Sequence, residues 1–215
     1  MAFIPDLPTL LAFTLAAVVL IITPGPDMTL FLGKTLTQGR KAGAAAVIGA
    51  ACGIVVHSLL AALGISALLA ASETAFLALK IGGAGYLVWL AVQAVRKGSA
   101  FTPDMQTGRT ESFLAVWTKG LTINLLNPKI VLFFVTFLPQ FVSATDPAAA
   151  QKLLFLGAYF IALAVPCCLA MVAGAASIAR FLRNSPRVLR AFDWTFAGIM
   201  GAFALKLLAA QSLAR

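Results

Sequence analysis

Two short breaks that mirror each other constrain what this chain can fold into. Thr23-Pro24-Gly25-Pro26-Asp27 and Asn127-Pro128-Lys129 each interrupt a long apolar stretch. Each continues as proline, a charge, two further residues and then Leu-Phe, reading Pro26 to Phe31 in the first and Pro128 to Phe133 in the second. The prolines and the phenylalanines are both 102 positions apart, and the charge changes sign between Asp27 and Lys129. The interrupted runs are long enough to cross a bilayer, which takes about 20 residues per helix. A charge beside a helix break at that depth is costly and marks function.

Composition fixes the class. The chain is 61% hydrophobic and 11% charged, with a mean hydropathy of +0.97, too little polar surface to cover a soluble domain. The formal net charge of +9 resides in short loops between apolar runs. There it reads as topology signals facing the cytoplasm and its anionic lipid, not as a nucleic-acid-binding module. Cys52, Cys167 and Cys168 all lie inside apolar runs, with neither disulfide nor metal-ligand spacing. No metal or other cofactor is expected. Asp6, with no Lys or Arg before the first apolar run, gives no basic leader region, so the first segment is expected to be retained.

Six spans are expected, near 8–32, 42–70, 74–95, 113–141, 152–179 and 188–210. The first is broken by Pro24-Gly25-Pro26, the fourth by Asn127-Pro128, and the fifth contains Pro166. Such breaks are tolerated only where protein or a wet cavity satisfies the freed backbone groups. Lys34, Arg40 and Lys41 in loop one, Arg96, Lys97 and Arg109 in loop three, and Arg180, Arg183, Arg187 and Arg190 in loop five outnumber Lys152 on the opposite side. Odd loops are therefore expected in the cytoplasm and both termini outside it. Residues 98–112 form the connecting loop between a first repeat, 1–97, and a second, 113–215. Three spans per repeat make the halves inverted, and sites in such folds form at broken helices. Gly82-x-x-Gly85 and Gly198-x-x-Gly201 are a weaker echo of the same symmetry.

The breaks carry chemistry. Gly25 serves as N-cap with Pro26 in the first helical position, and Asn127 caps ahead of Pro128. Each break thus offers N–H donors for a carboxylate and carbonyl acceptors for an ammonium. Asp27 and Lys129 lie roughly 10–15 Å from the charged flanks Lys34 and Lys119, at 1.5 Å per residue, so both can face one cavity. An α-amino acid carries the complementary pair, its carboxylate suiting Lys129 and its ammonium Asp27. The alternative is that Asp27 and Lys129 simply pair and lock two helices. Asn124 and Asn127 share a helix face. Thr23 and Thr29 offer hydroxyls, though threonine often bonds back to its own helix. His57 reads as a packed histidine bonded to a neighbouring helix, with a proton relay as the alternative. Gly49-x-x-x-Gly53 is a small-residue face for packing within the monomer or for a homodimer contact. Lys119 and Asp193 are candidates to pair across spans four and six.

These residues resemble the LysE/RhtB-type amino-acid exporters over essentially the whole chain. Thr23 to Asp27, Gly49-x-x-x-Gly53, Lys80-x-x-Gly83-x-x-Tyr86-Leu87, and Asn127-Pro128-Lys129 running into Phe133-Phe134 and Phe137-Leu138-Pro139-Gln140-Phe141 carry the likeness. The resemblance implies a multi-pass protein of the bacterial inner membrane. It implies secondary export of amino acids, closer to the homoserine/threonine-type members and driven by an ion gradient, with a proton as the coupling ion considered. Family members carry Asp or Asn after the second proline, so an Asp27–Lys129 pair is not obligatory for transport. Two other classes compete: a channel or structural membrane component, and an intramembrane enzyme. An enzyme lacks material here, with no HExxH, no GxSxG and no paired membrane aspartates.

Overall fold

The computed structural model describes residues 3–71, 110–143 and 146–212, together with 81, 82, 85, 88, 89, 91–93, 95 and 96. Among them every regular element is helical. Helix α1, Leu7–Ile22, starts where the Asp6 carboxylate accepts the Thr9 N–H at 3.0 Å. It stops at Thr23, and α2, Pro26–Gln38, begins after the Gly25 cap at an angle of 50°. Gly39 ends α2 with φ +89°, a conformation that favours glycine, and α3 runs from Arg40 to Ala71.

The second broken unit repeats this design. Helix α4, Phe113–Leu126, is capped by Ser112, whose hydroxyl accepts the Ala115 N–H at 3.2 Å. After Asn127, α5 spans Pro128–Leu132 and continues as a π turn, Phe133–Phe137, and a 3₁₀ turn, Leu138–Phe141. The two parts are bent by 54°. Helix α6 is Ala149–Ala173, α7 is Ala175–Asn184 and α8 is Pro186–Ser212.

Arg40–Gly64 and Ala149–Ala173 are each long and apolar enough to cross a membrane. The pairs α1–α2 and α4–α5 each qualify as one bent span. Both interruptions therefore fall where the proline motifs put them. The outer faces are apolar: α1 exposes Leu7, Leu11, Leu15 and Val18, and α3 exposes Val55, Leu59 and Leu63. Such stripes at helical spacing suit lipid.

Three expectations change. Span five was expected to continue to 179, but α6 stops at Gly174 and α7 follows as a separate amphipathic helix. Ala175, Ala179 and Leu182 are buried there, while Arg180 and Phe181 are exposed, a pattern that binds one face and leaves the other out. Pro166 does not interrupt α6, which runs through it. Lys119 pairs with Glu111 at 2.6 Å rather than with Asp193, because Glu111 lies at the start of its own helix unit. The third span expected at 74–95 and the motif Lys80, Gly83, Tyr86, Leu87 lie outside the described residues, apart from the helical positions named above. Of the connecting loop 98–112, only 110–112 are described.

Helix α3 is the spine and packs against α2, α4 and α6. A Cβ on Gly49 would fall 2.0 Å from the Trp117 carbonyl oxygen, and one on Gly120 would fall 2.3 Å from that of Ala46. The α3 and α4 backbones thus touch at reciprocal glycines, and the Gly49–Gly53 face packs within the monomer. Gly82 and Gly85 meet no such neighbour among the described residues. Two apolar clusters result. One is rich in phenylalanine, joining Phe13 of α1, Phe133, Phe134 and Phe137 beyond the second break, and Phe160 of α6. Its rings lie 4.9–5.9 Å apart, as in Phe133–Phe137 and Phe13–Phe133. The other joins Met28, Phe31 and Leu32 of α2, Ala45 to Val47 of α3, Val116 of α4, and Ala175, Ala179 and Leu182 of α7.

Polar groups fasten one end. Glu111 bridges Lys34 of α2 and Lys119 of α4, and its N–H donates to Gln38 Oε1 at 3.1 Å. The Arg40 guanidinium donates to the Ala173 carbonyl at 3.0 Å, satisfying an orphan carbonyl at the end of α6. The end of α2, the starts of α3 and α4 and the end of α6 are therefore tied together, while Lys152 pairs with Asp146 elsewhere. Hydrogen bonds from Lys119 and then Lys34 hold the Glu111 carboxyl at about 2, below its ordinary 4.5.

Gly49→Ala is expected to destabilise the detergent-purified protein by about 1–3 kcal/mol through forced backbone separation. Gly64→Ala, where a Cβ meets nothing within 4 Å among the described residues, should leave the melting temperature level or raise it. Because its folded value is lowered, the Glu111 bridge is complete above about pH 4.5 and is lost only as pH falls through about 2. Stability measured from pH 5 to 8 should therefore show no titration from this group. Glu111→Gln should lower stability by a similar amount across that range.

Candidate functional site

The two breaks meet, and what they share is a set of unfinished backbone and side-chain bonds. Proline lacks an N–H, so Pro26 and Pro128 leave carbonyls without their usual helical donors. Lys129 Nζ donates to the Thr23 carbonyl at 2.6 Å, bringing a cation from the second break to the carbonyl end of α1. Asp27 sits in the first turn of α2, where a helix N-terminus favours negative charge. Each charge thus occupies the complementary end of a broken helix.

Asp27 and Lys129 are not joined as an ion pair within 4 Å. Instead, Asn124 Nδ2 and Asn127 Nδ2 both donate to Asp27 Oδ2, at 3.0 and 2.9 Å. Asn127 also caps α5, its Oδ1 accepting the Lys129 N–H at 3.1 Å. One side chain therefore finishes its own helix and grips the other break. Asn124 and Asn127 are 1% and 3% exposed. Asp27 Oδ1 and Asn124 Oδ1 are buried without a hydrogen-bond partner, and buried acceptors of this kind call for an explanation.

Beside them lies a cavity of about 60 Å³ lined by Thr23, Gly25, Asp27, Asn124, Asn127 and Lys129. The remaining lining is largely apolar and comes from both clusters, with Leu20, Ile54 and Phe160 on one side and Met28, Phe31 and Val47 on the other. At roughly 10–15 Å³ per water-sized site, it holds about the five heavy atoms of an amino-acid head group. Among the described lining residues, Asp27 and Lys129 alone are charged.

The expected residues separate into roles. Thr23 is buried and contributes its carbonyl, because its hydroxyl donates back to Val19 at 2.6 Å. Pro24, Pro26 and Pro128 shape the breaks and are absent from the lining. His57 is buried and bonded across helices, its Nε2 lying 3.3 Å from the Asn124 carbonyl. Sequence reasoning missed the wall supplied by α6, Phe160, Ala164, Val165 and Cys168. It also missed the grip of the two asparagines on Asp27, for which their shared face was the available signal.

Apolar outer faces around a broken, charged interior define an integral membrane protein. The chain belongs to the LysE type translocator family, whose model matches residues 18–211; it is a transporter, not an enzyme. It is 32% identical over 207 residues to an uncharacterized membrane protein of Vibrio cholerae, covering 96% of this chain and 100% of the relative. It is 31% identical to the homoserine/homoserine lactone efflux protein of Salmonella typhi, over 66% of this chain and 69% of that one. It is 27% identical to the threonine efflux protein of the same organism, over 93% and 98%. No solved structure matches.

The grip on Asp27 makes a directional prediction. Asn127→Asp keeps a capping oxygen but turns a carboxylate against Asp27, and should lower stability by about 1–3 kcal/mol. Adding Asp27→Asn restores one amide and one carboxylate, and should recover most of the loss in melting temperature. A double variant no more stable than Asn127→Asp alone would refute the contact.

Proposed function

We propose that this protein is a secondary exporter of small neutral amino acids, of the homoserine or threonine kind, acting across the bacterial inner membrane. The observation that carries this reading is the cavity at the two breaks. It sets the Asp27 carboxylate on one side and a lysine ammonium on the other. Lys129 uses one donor on Thr23, and an ammonium has three, leaving two for a substrate carboxylate. Asp27 Oδ1 and Asn124 Oδ1 accept from the substrate ammonium. The apolar wall suits a short uncharged side chain, and the efflux proteins named above support the substrate class.

In this reading the breaks work as paired elements of an inverted repeat, with 1–97 and 113–215 as three-helix units joined by a cytoplasmic loop at 98–112. Six spans place both termini outside the cytoplasm. Alternating access moves one set of half-helices against the other, and Asp27 is the candidate carrier of a coupling proton. Thr23, Gly25, Asp27, Asn124, Asn127 and Lys129 line the substrate site, and Pro24, Pro26 and Pro128 shape the breaks that form it.

Export from cells accumulating threonine or homoserine tests this. Lys129→Met should abolish export while leaving the protein in the membrane, and Asp27→Asn should weaken its dependence on the proton gradient. Normal export by Lys129→Met rejects the carboxylate assignment, and unchanged gradient dependence in Asp27→Asn rejects the proton carrier.

A further inference from the structure

Asn124 holds an orientation that its own helix does not dictate. A primary amide rotated by half a turn would put its oxygen, not its nitrogen, against the Asp27 carboxylate. Nδ2 faces Asp27 Oδ2 at 3.0 Å, while Oδ1 is buried and unpaired. Helix α3 supplies the constraint from two residues one turn apart.

Gly53 is the first. A Cβ there would lie 2.5 Å from Asn124 Oδ1 and 3.0 Å from its Cβ and Cγ. All three nearest atoms belong to Asn124, so the amide lies on bare backbone where any side chain would displace it. His57 is the second. In a continuous helix the Asn124 carbonyl would accept from residue 128, but residue 128 is proline and has no N–H. Asn127 N–H supplies one donor at 3.1 Å, and His57 Nε2, protonated as a donor to carbonyl must be, lies at 3.3 Å. The His57 ring also stacks on Phe134, with ring centroids 5.8 Å apart, nearly two turns beyond the break. It therefore touches span four on both sides of its interruption.

We infer that Gly53 and His57 are positioning residues that aim the Asn124 amide nitrogen at Asp27 and so fix the carboxylate at the edge of the cavity. They touch no substrate; they act through Asn124, which ties the ammonium end of the site to α3. This rests on the proposed transport function for its consequence, though not for its geometry.

The test is uptake of radiolabelled L-threonine and L-homoserine into proteoliposomes, with a melting-temperature series on the same purified proteins. Gly53→Ala and His57→Leu should each raise the apparent KM roughly tenfold, as loss of a hydrogen bond to a charged group does, with maximal rate changed less than about twofold. His57→Gln, which restores an N–H donor, should return the KM to within about threefold of wild type. In an Asn124→Ala background, Gly53→Ala should add less than about twofold, and the same pair should be non-additive in melting temperature. Additive penalties in both measurements, or a His57→Gln no better than His57→Leu, overturn the inference. If Gly53→Ala fails to fold, the two His57 variants decide it. Wild-type protein that moves neither amino acid refutes the function instead, and the melting-temperature cycle then decides the positioning role.

Discussion

A backbone carbonyl in hydrocarbon must find a donor, and proline withholds one. That constraint organises this protein. At the first break the Thr23 carbonyl, left open by the end of α1 rather than by a missing proline N–H, is answered by Lys129, a side chain from the second break. At the second break the Asn124 carbonyl is answered by Asn127 and by His57 of α3. Each interruption is therefore completed from outside its own helix. The breaks cannot be local defects, because the groups that satisfy them come from more than a hundred residues away in one case and from a neighbouring span in the other.

The same arrangement divides the interior. Phenylalanines fill the side built from α1, α5 and the first half of α6, whereas small and aliphatic residues fill the side built from α2, α4 and α7. The difference follows from packing. Gly49 and Gly120 bring α3 and α4 into backbone contact, which leaves no room for rings there. Beyond the bend, helices diverge and aromatic side chains fill the wider space. The cavity lies where the two packing regimes meet, so its polar floor belongs to the breaks and its apolar walls to both clusters.

Much of this was legible in the chain. Pro26 after Gly25 and Pro128 after Asn127 specify where helices stop and restart, and capping chemistry specifies how. Lys34 and Lys119, basic residues of the expected inner ends, meet at Glu111, and Arg40 reaches the end of α6. The rest depended on geometry that spacing does not encode. Asp27 and Lys129 suggested a direct pair, but each is better solvated by uncharged partners already in place: two amides for the acid and a helix-end carbonyl for the base. Pro166 suggested a break that α6 absorbs, while Gly174, with no proline beside it, ends the helix. The α6 wall of the cavity has no motif at all, because small apolar residues facing a cavity and those facing a neighbour look alike.

Glu111 ties Lys34 to Lys119, and so joins the second half of one broken span to the first half of the other. Together with the α3–α4 backbone contact, this makes α2, α3 and α4 a single mechanical block. Helix α1 and the segment after Asn127 join that block at the breaks and through the phenylalanine-rich cluster, which includes Ile54 and Ala61 of α3. Backbone torsions at a few element ends are where hinge motions concentrate. In the proposed transport cycle the seam that supplies the polar groups would serve as the axle, with the charges at Asp27 and Lys129 where displacement is smallest and change of angle greatest. A rocking motion of the two blocks would rotate these groups relative to one another with little translation, re-aiming the cavity without dismantling it.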